Sequence, residues 1–283
     1  MSRVFEALQQ LNAGAIGPAT ERDPLTDSPS VLAALGNDFA QFDSVREFRV
    51  PAVAGSRLVS LSEPHTLAAE KLRGLAASLR QMRARRNGNR LLMASAVRGD
   101  GKSMMSANLA ITLATQGERT LLIDGDLHKP TLHHLLGVRE RRGFTNWTDE
   151  KSSIADYLLR ESSMPLWFLP AGDAVEQPLT KIQLPATSGL LSKLANSFEW
   201  IIVDSPPVMP LADSGVWSTM CDWVLLVVRE GLTPKGALTK TVDAIDRTKL
   251  CATILNDAIS SESKYYRQYY TRDSERTAAK SGK

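Results

Sequence analysis

The sequence predicts an α/β fold, a mostly parallel sheet with helices on both faces. Three observations carry this. Short apolar runs rich in Leu, Ile and Val recur near 90–95, 119–124, 199–204, 222–229 and 251–256. Segments with apolar residues at helical spacing fall between or after them, near 102–116, 130–136, 152–160, 188–197, 212–219 and 234–248. The first three runs each end in a chemically loaded turn, and strand–helix alternation makes a parallel sheet covered on both sides.

Residues 1–12 read as a short amphipathic helix, with Val4, Phe5, Leu8 and Leu11 on one side. Residues 13–62 lose that pattern, and Gly14, Gly17, Pro18, Pro24, Pro29, Gly36, Pro51 and Gly55 punctuate a segment expected to be flexible linker. The folded domain is expected over 63–258. It opens with a helix from Thr66 to about Arg86 that carries Leu67, Leu72, Leu75, Leu79 and Met82 on its apolar side. Leu166 to Gly172 reads as one more short strand and turn, and 259–283 as a flexible tail.

The run Leu91-Leu92-Met93-Ala94-Ser95 leads into Ala96-Val97-Arg98-Gly99-Asp100-Gly101-Lys102-Ser103-Met104. This is a phosphate-binding loop, with Ala96 where a first glycine usually stands. Its glycines let backbone N–H groups turn inward around an anion, and the following helix adds the positive end of its dipole. Residues Val97 to Met104 are therefore expected to wrap a nucleotide. Lys102 would reach its terminal phosphates, and the Ser103 hydroxyl would bind Mg²⁺. Ala107, Leu109, Ala110, Leu113 and Ala114 continue at helical spacing until Gly117, so the loop sits between a strand and a helix.

Two more strand ends converge on it. Thr120-Leu121-Leu122-Ile123-Asp124-Gly125-Asp126 places two carboxylates at alternate positions, on one side of the strand. Trp200-Ile201-Ile202-Val203-Asp204 ends in a third. Open parallel sheets bind ligands at the carboxyl ends of their strands, so Asp124, Asp126 and Asp204 are expected beside the loop, in a Mg²⁺–nucleotide site.

Charge balance by itself gives no argument for nucleic-acid binding: 34 Lys and Arg against 31 Asp and Glu give a net charge of only +3. A local basic run (Lys71, Arg73, Arg80, Arg83, Arg85, Arg86, Arg90) reads as a solvated helix face or a contact for an acidic partner or anionic lipid. Cys221 and Cys251 lie apart within apolar segments, as small core residues of a reduced protein. His128, His133 and His134 form no metal-ligand spacing and read as surface residues. No secretory signal opens the chain, and its longest apolar run, Val224 to Val228, is too short to cross a bilayer.

The tail holds four of the five tyrosines, Tyr265, Tyr266, Tyr269 and Tyr270. Their i, i+4 spacing would suit a helix stripe. Their polar surroundings instead point to exposed phosphate acceptors, whose added charge would drive the tail from a site.

These pieces together resemble the bacterial tyrosine kinases (BY-kinases), cytoplasmic autokinases of polysaccharide synthesis and export. The match rests on the phosphate loop, Leu122-Ile123-Asp124-Gly125-Asp126-Leu127-His128-Lys129-Pro130, Asp204-Ser205-Pro206-Pro207, Val224 to Glu230 and the tyrosine tail, and it spans about 66–270. The resemblance implies a P-loop NTPase of MinD/ParA-like topology that uses ATP and Mg²⁺. It makes Asp124 the base or orienter for the attacking tyrosine. It assigns Asp126 and Asp204, with Ser103, to the metal, and sets Asn256 near the nucleotide base. It also implies a membrane-bound polysaccharide co-polymerase acting as activator in trans, self-association through Glu70 and Arg73, and an opposing tyrosine phosphatase. The protein would then be cytoplasmic, held at the inner face of the plasma membrane by its partner.

Three departures stand out. Met104 replaces a hydroxyl residue common after Gly-Lys-Ser, and Ala76 replaces the last arginine of the family's subunit-contact element, which puts a ring assembly in doubt. The acceptor cluster is also short. Two other readings compete: a non-kinase nucleotide-dependent switch or scaffold of the polysaccharide machinery, and a ParA/MinD-type ATPase. The latter carries a signature lysine where this chain has Val97.

Overall fold

A computed structural model describes residues 42–258, apart from 140, 151, 210 and 211. The helix expected over 1–12 and the tyrosine tail lie outside the described residues. The strands are β1 (Arg46–Phe48), β2 (Arg90–Ser95), β3 (Thr120–Asp124), β4 (Leu159–Glu161), β5 (Leu166–Leu169), β6 (Trp200–Asp204), β7 (Trp223–Arg229) and β8 (Leu250–Asn256). They form one sheet in the order β1-β4-β5-β3-β6-β2-β7-β8. Every pairing is parallel except β4 with β5.

The helices are α1 (Val59–Ser62), α2 (Leu67–Arg85), α3 (Lys102–Thr115), α4 (Leu132–Leu135), α5 (Phe144–Glu150), α6 (Pro178–Ile182), α7 (Pro185–Ala195), α8 (Asp213–Met220) and α9 (Lys235–Ala244). Strand alternation sorts the core into two layers. Leu92, Ala94, Ile123, Ile201, Val203, Val224 and Leu226 join one apolar cluster with residues of α7 and with Trp217 of α8. Leu91, Met93, Leu122, Ile202, Leu225 and Val227 join the other, with Ala107, Ala110 and Ile111 of α3. Both faces of the central strands are buried, which is why they read as unbroken apolar runs. Helix α2 starts where the Thr66 hydroxyl accepts the Ala69 N–H at 3.3 Å, and it buries Ala69, Leu72, Ala76 and Leu79.

The expected linker differs from the structure over its described part. Residues 46–48 form an edge strand paired with β4, and Phe42, Val50 and Leu58 are buried. A three-residue strand is too short to show alternation, so the surrounding Pro and Gly dominated the sequence pattern. The helix expected at 152–160 is instead a single 3₁₀ turn, Ile154–Tyr157, followed by β4. Short helices α5 and α6 fall where the chain carries no helical periodicity. The helices expected at 130–136 and 234–248 shrink to Leu132–Leu135 and Lys235–Ala244.

Candidate active site

Strand β2 delivers its last residue, Ser95, into a loop that closes at the start of α3. Gly101 caps α3 with a left-handed φ of 91°, and a Cβ there would collide with the Asn256 side-chain amide. The positive φ is what calls for glycine here, and a larger residue would also displace the Asn256 amide. Side chains from within the loop and from elsewhere in the chain pin it. The buried Asp100 accepts the Val97 N–H at 3.0 Å and the Thr233 hydroxyl at 2.7 Å. Asn256 Nδ2 donates to the Asp100 carbonyl at 2.9 Å, and Arg229 Nη1 to the Gly99 carbonyl at 3.2 Å. The ends of β7 and β8 thus hold the loop's shape before any ligand arrives.

Lys102 turns inward. Its Nζ lies 2.5 Å from Asp204 Oδ1, and both side chains are buried. The Ser106 hydroxyl, one helical turn later, donates to the same carboxylate oxygen at 3.0 Å. Asp124 sits directly opposite Asp204 in the register of β3 and β6. It is fully buried, and its Oδ2 accepts the Leu132 N–H at 3.1 Å. Burial first, and the neighbouring Asp204 second, hold the Asp124 carboxyl well above the usual carboxylate range. Asp126 is also raised, chiefly by burial, while its Oδ1 accepts the Lys129 N–H at 3.0 Å. Gly125 between them donates its N–H to the Asp204 carbonyl at 2.8 Å and accepts Trp217 Nε1 at 3.1 Å, so α8 braces this turn.

The fit to a magnesium-bound nucleotide rests on two atoms. Asp124 Oδ1 and Asp204 Oδ2 are buried without a hydrogen-bond partner. Orphaned carboxylate oxygens at the ends of neighbouring strands, beside the Lys102 ammonium, suit a hydrated cation and an anion together. Among the described residues, no three His, Cys, Asp or Glu side chains close into a metal cage.

The structure brings Lys102, Asp124, Asp126 and Asp204 to one sheet edge, with Ser103 next to Lys102 on the first turn of α3. Asn256 Nδ2 is bonded to the Asp100 carbonyl of the loop, and Arg98 is exposed. Glu70 and Arg73 pair with each other on α2 (Arg73 Nε to Glu70 Oε2, 3.2 Å), and Arg73 Nη2 also reaches the Pro64 carbonyl at 2.8 Å. The Cys221 and Cys251 thiols are both pushed up to about 12, chiefly by burial, Cys221 within the core and Cys251 partly buried beside it. Sequence reasoning missed Ser106, Arg229, Thr233 and Trp217. Only Ser106 carried a sequence signal, its i+4 spacing from Lys102.

Comparison with known proteins agrees with this geometry. The ParA family model, described as NUBPL iron-transfer P-loop NTPase, matches residues 87–210. The tyrosine-protein kinase YwqD of Bacillus subtilis is 29% identical over 225 residues, covering 77% of this chain and 95% of that protein. The succinoglycan biosynthesis transport protein ExoP of Rhizobium meliloti is 30% identical over 219 residues, 76% of this chain and 28% of ExoP. The crystal structure of the VpsO kinase domain superposes with a TM-score of 0.58 at 30% identity, over 68% of this chain and all of that one (100%). A P-loop fold, a lysine and three aspartates gathered at one strand edge, and kinase relatives that align along nearly their whole length lead to one assignment: the chain belongs to the bacterial tyrosine kinase (BY-kinase) family.

Proposed function

We propose that this protein is an ATP-dependent tyrosine autokinase of exopolysaccharide or capsule synthesis or export, and that Tyr265, Tyr266, Tyr269 and Tyr270 are its acceptors. The observation that carries the reading is the buried Lys102–Asp204 pair flanked by the unpartnered oxygens of Asp124 and Asp204. Magnesium-bound ATP supplies the phosphoryl group and the positive charge that offsets it. Lys102 is positioned to exchange Asp204 for the terminal phosphates, while backbone N–H groups of the 97–104 loop and the Ser103 hydroxyl hold the remainder. Asp126 and Asp204 would hold the metal's water shell. Phosphoryl transfer asks the protein mainly for placement and charge stabilisation. Asp124 takes the tyrosine proton in this scheme. Its raised affinity for protons brings it closer to a phenol than an exposed carboxylate would be.

No helix of the described residues is long and apolar enough to cross a membrane. The match to part of ExoP, a succinoglycan biosynthesis transport protein, supports a membrane-bound polysaccharide co-polymerase as the activating partner. The kinase would then be cytoplasmic and peripheral, reset by a tyrosine phosphatase, with self-association through the α2 face bearing Glu70 and Arg73. Met104, in place of a hydroxyl residue, favours a second reading: a nucleotide-dependent switch with little phosphotransfer.

Incubation with Mg-ATP and a co-polymerase cytoplasmic segment separates the two. The kinase reading expects anti-phosphotyrosine signal in the wild type. That signal should be absent in Lys102→Met, with folding checked by circular dichroism, and in the variant with all four tail tyrosines changed to Phe. ATP hydrolysis without phosphotyrosine would establish the switch instead.

A further inference from the structure

We propose that Ser106 is a positioning residue: its hydroxyl keeps the Asp204 carboxylate oriented when Lys102 leaves it for phosphate, and so sets how tightly the site takes Mg²⁺. This deepens the magnesium–nucleotide part of the reading above and rests on it.

Each of the three acids at this edge has one oxygen tethered by a neutral donor. Asp124 Oδ2 accepts the Leu132 N–H at 3.1 Å, and Asp126 Oδ1 accepts the Lys129 N–H at 3.0 Å. Those donors belong to the main chain that follows β3. Asp204 is held differently. Its Oδ1 takes Lys102 Nζ at 2.5 Å and the Ser106 hydroxyl at 3.0 Å, while Oδ2 has no partner. Of the two donors, the ammonium is the one that a triphosphate would draw away. Ser106 is fully buried on α3, one turn beyond Lys102, and stays where the helix backbone places it. Without its hydroxyl, a fully buried carboxylate would lose its tether in the same event that loads the site.

A serine within a helix often bonds the carbonyl four residues back and does nothing more. Ser78 and Ser192 make that bond on exposed faces, at 3.0 Å each. Ser106 also lies 3.0 Å from the Lys102 carbonyl, but a hydroxyl has a single hydrogen to give. That carbonyl already opens the i to i+4 ladder of α3. The Asp204 oxygen belongs to an ion pair, and a charged acceptor makes the stronger bond. Local back-bonding therefore does not account for this side chain.

The consequence falls on the metal. The main chain at Asp204 is fixed by its register with Asp124 and by the Gly125 N–H, which its carbonyl accepts at 2.8 Å. What remains free is rotation of the carboxylate. The Ser106 bond occupies Oδ1 and leaves Oδ2 as the oxygen offered to the cation's water shell. Groups that orient a metal-holding carboxylate typically matter by about ten- to a hundredfold in metal affinity. This tether also comes from the helix that carries Lys102 and Ser103, so one element positions both the phosphate contacts and the acid.

A Mg²⁺ titration of the full chain with a fluorescent ADP tests this without acceptor or activator. In wild type, Mg²⁺ should tighten ADP binding. Ser106→Ala and the near-isosteric Ser106→Cys should each raise the half-saturating Mg²⁺ concentration about tenfold, with ADP affinity in EDTA kept within about twofold. Ser106→Thr, which retains the hydroxyl, should stay close to wild type. Three results would overturn the role: an unchanged Mg²⁺ midpoint in Ser106→Ala, a Thr variant as impaired as Ala, or an equal loss of ADP affinity in EDTA. Wild-type ADP binding indifferent to Mg²⁺ would overturn the metal site itself, and this role with it. Phosphotyrosine is not measured, so the kinase reading stands or falls separately, on the assay given for it above.

Discussion

At the scale of single residues, the Lys102–Asp204 contact does two jobs. Without a ligand it neutralises two buried charges, and with phosphate present it must open. Removing one member leaves the other uncompensated. Lys102→Met is therefore expected to lower unfolding free energy by roughly 3–5 kcal/mol in urea titrations, and the double variant with Asp204→Asn to recover most of it. A neutral single variant would mean that the pair is not buried as described. Gly101→Ala should weaken nucleotide binding by about tenfold or more. It adds a Cβ into the Asn256 amide at a φ of 91°, where an L side chain costs about 1–2 kcal/mol. Isothermal titration calorimetry would check it. The ligand-facing residues were legible in the sequence because their spacing is short and their types are specialised. Arg229 and Thr233 were not, since each works through a partner more than 80 positions away. Nothing local marks such pairs.

At the scale of elements, long buried strands and α3 announced themselves through unbroken apolar runs and helical spacing. The edge elements did not. Strand β1 has three residues, two of them exposed, and only Phe48 turns toward the core, its ring 6.4 Å from that of Phe168 on β5. Phe42 tests whether this segment belongs to the folded unit. Its ring lies 5.5 Å from that of Phe198, and its carbonyl accepts Trp167 Nε1 at 2.7 Å. Phe42→Ala should cost about 3–5 kcal/mol by chemical denaturation, whereas a linker residue would cost almost nothing.

The entrance to β2 offers a pH test. Burial alone would raise the Asp222 carboxyl, but hydrogen bonds from the Arg90 side chain and from the Arg90 and Asn89 N–H groups hold it below its ordinary range. A depressed carboxylate contributes stability that is present above about pH 4 and is lost as pH falls through its folded value. Asp222→Asn should flatten the acid limb of the stability curve in that window, measured by thermal melts from pH 2 to 5. An unaltered acid limb would show that the Arg90 contact carries no proton linkage.

At the scale of the whole molecule, sheet order decides what the chemistry can be. Strand β2 carries the phosphate loop. On one side, β7 and β8 clamp that loop; on the other, β6 and β3 bring the carboxylates. The end of β8, one residue before Asp257, is bonded to the loop, so the segment leading to the tyrosines starts beside the nucleotide site. This convergence was readable because parallel strands deliver their ends to one edge. The order of the outer strands was not, because it depends on contacts between elements distant in sequence.

The central claim is that a magnesium-bound triphosphate held at this edge serves tyrosine. Phosphopeptide mapping by mass spectrometry, after incubation with Mg-ATP and an activator segment, addresses it most directly. Phosphate should appear on Tyr265, Tyr266, Tyr269 or Tyr270 in the wild type and on none of them in Asp124→Asn. Labelling that persists in Asp124→Asn, or a wild-type tail that remains bare while ATP is consumed, would contradict it.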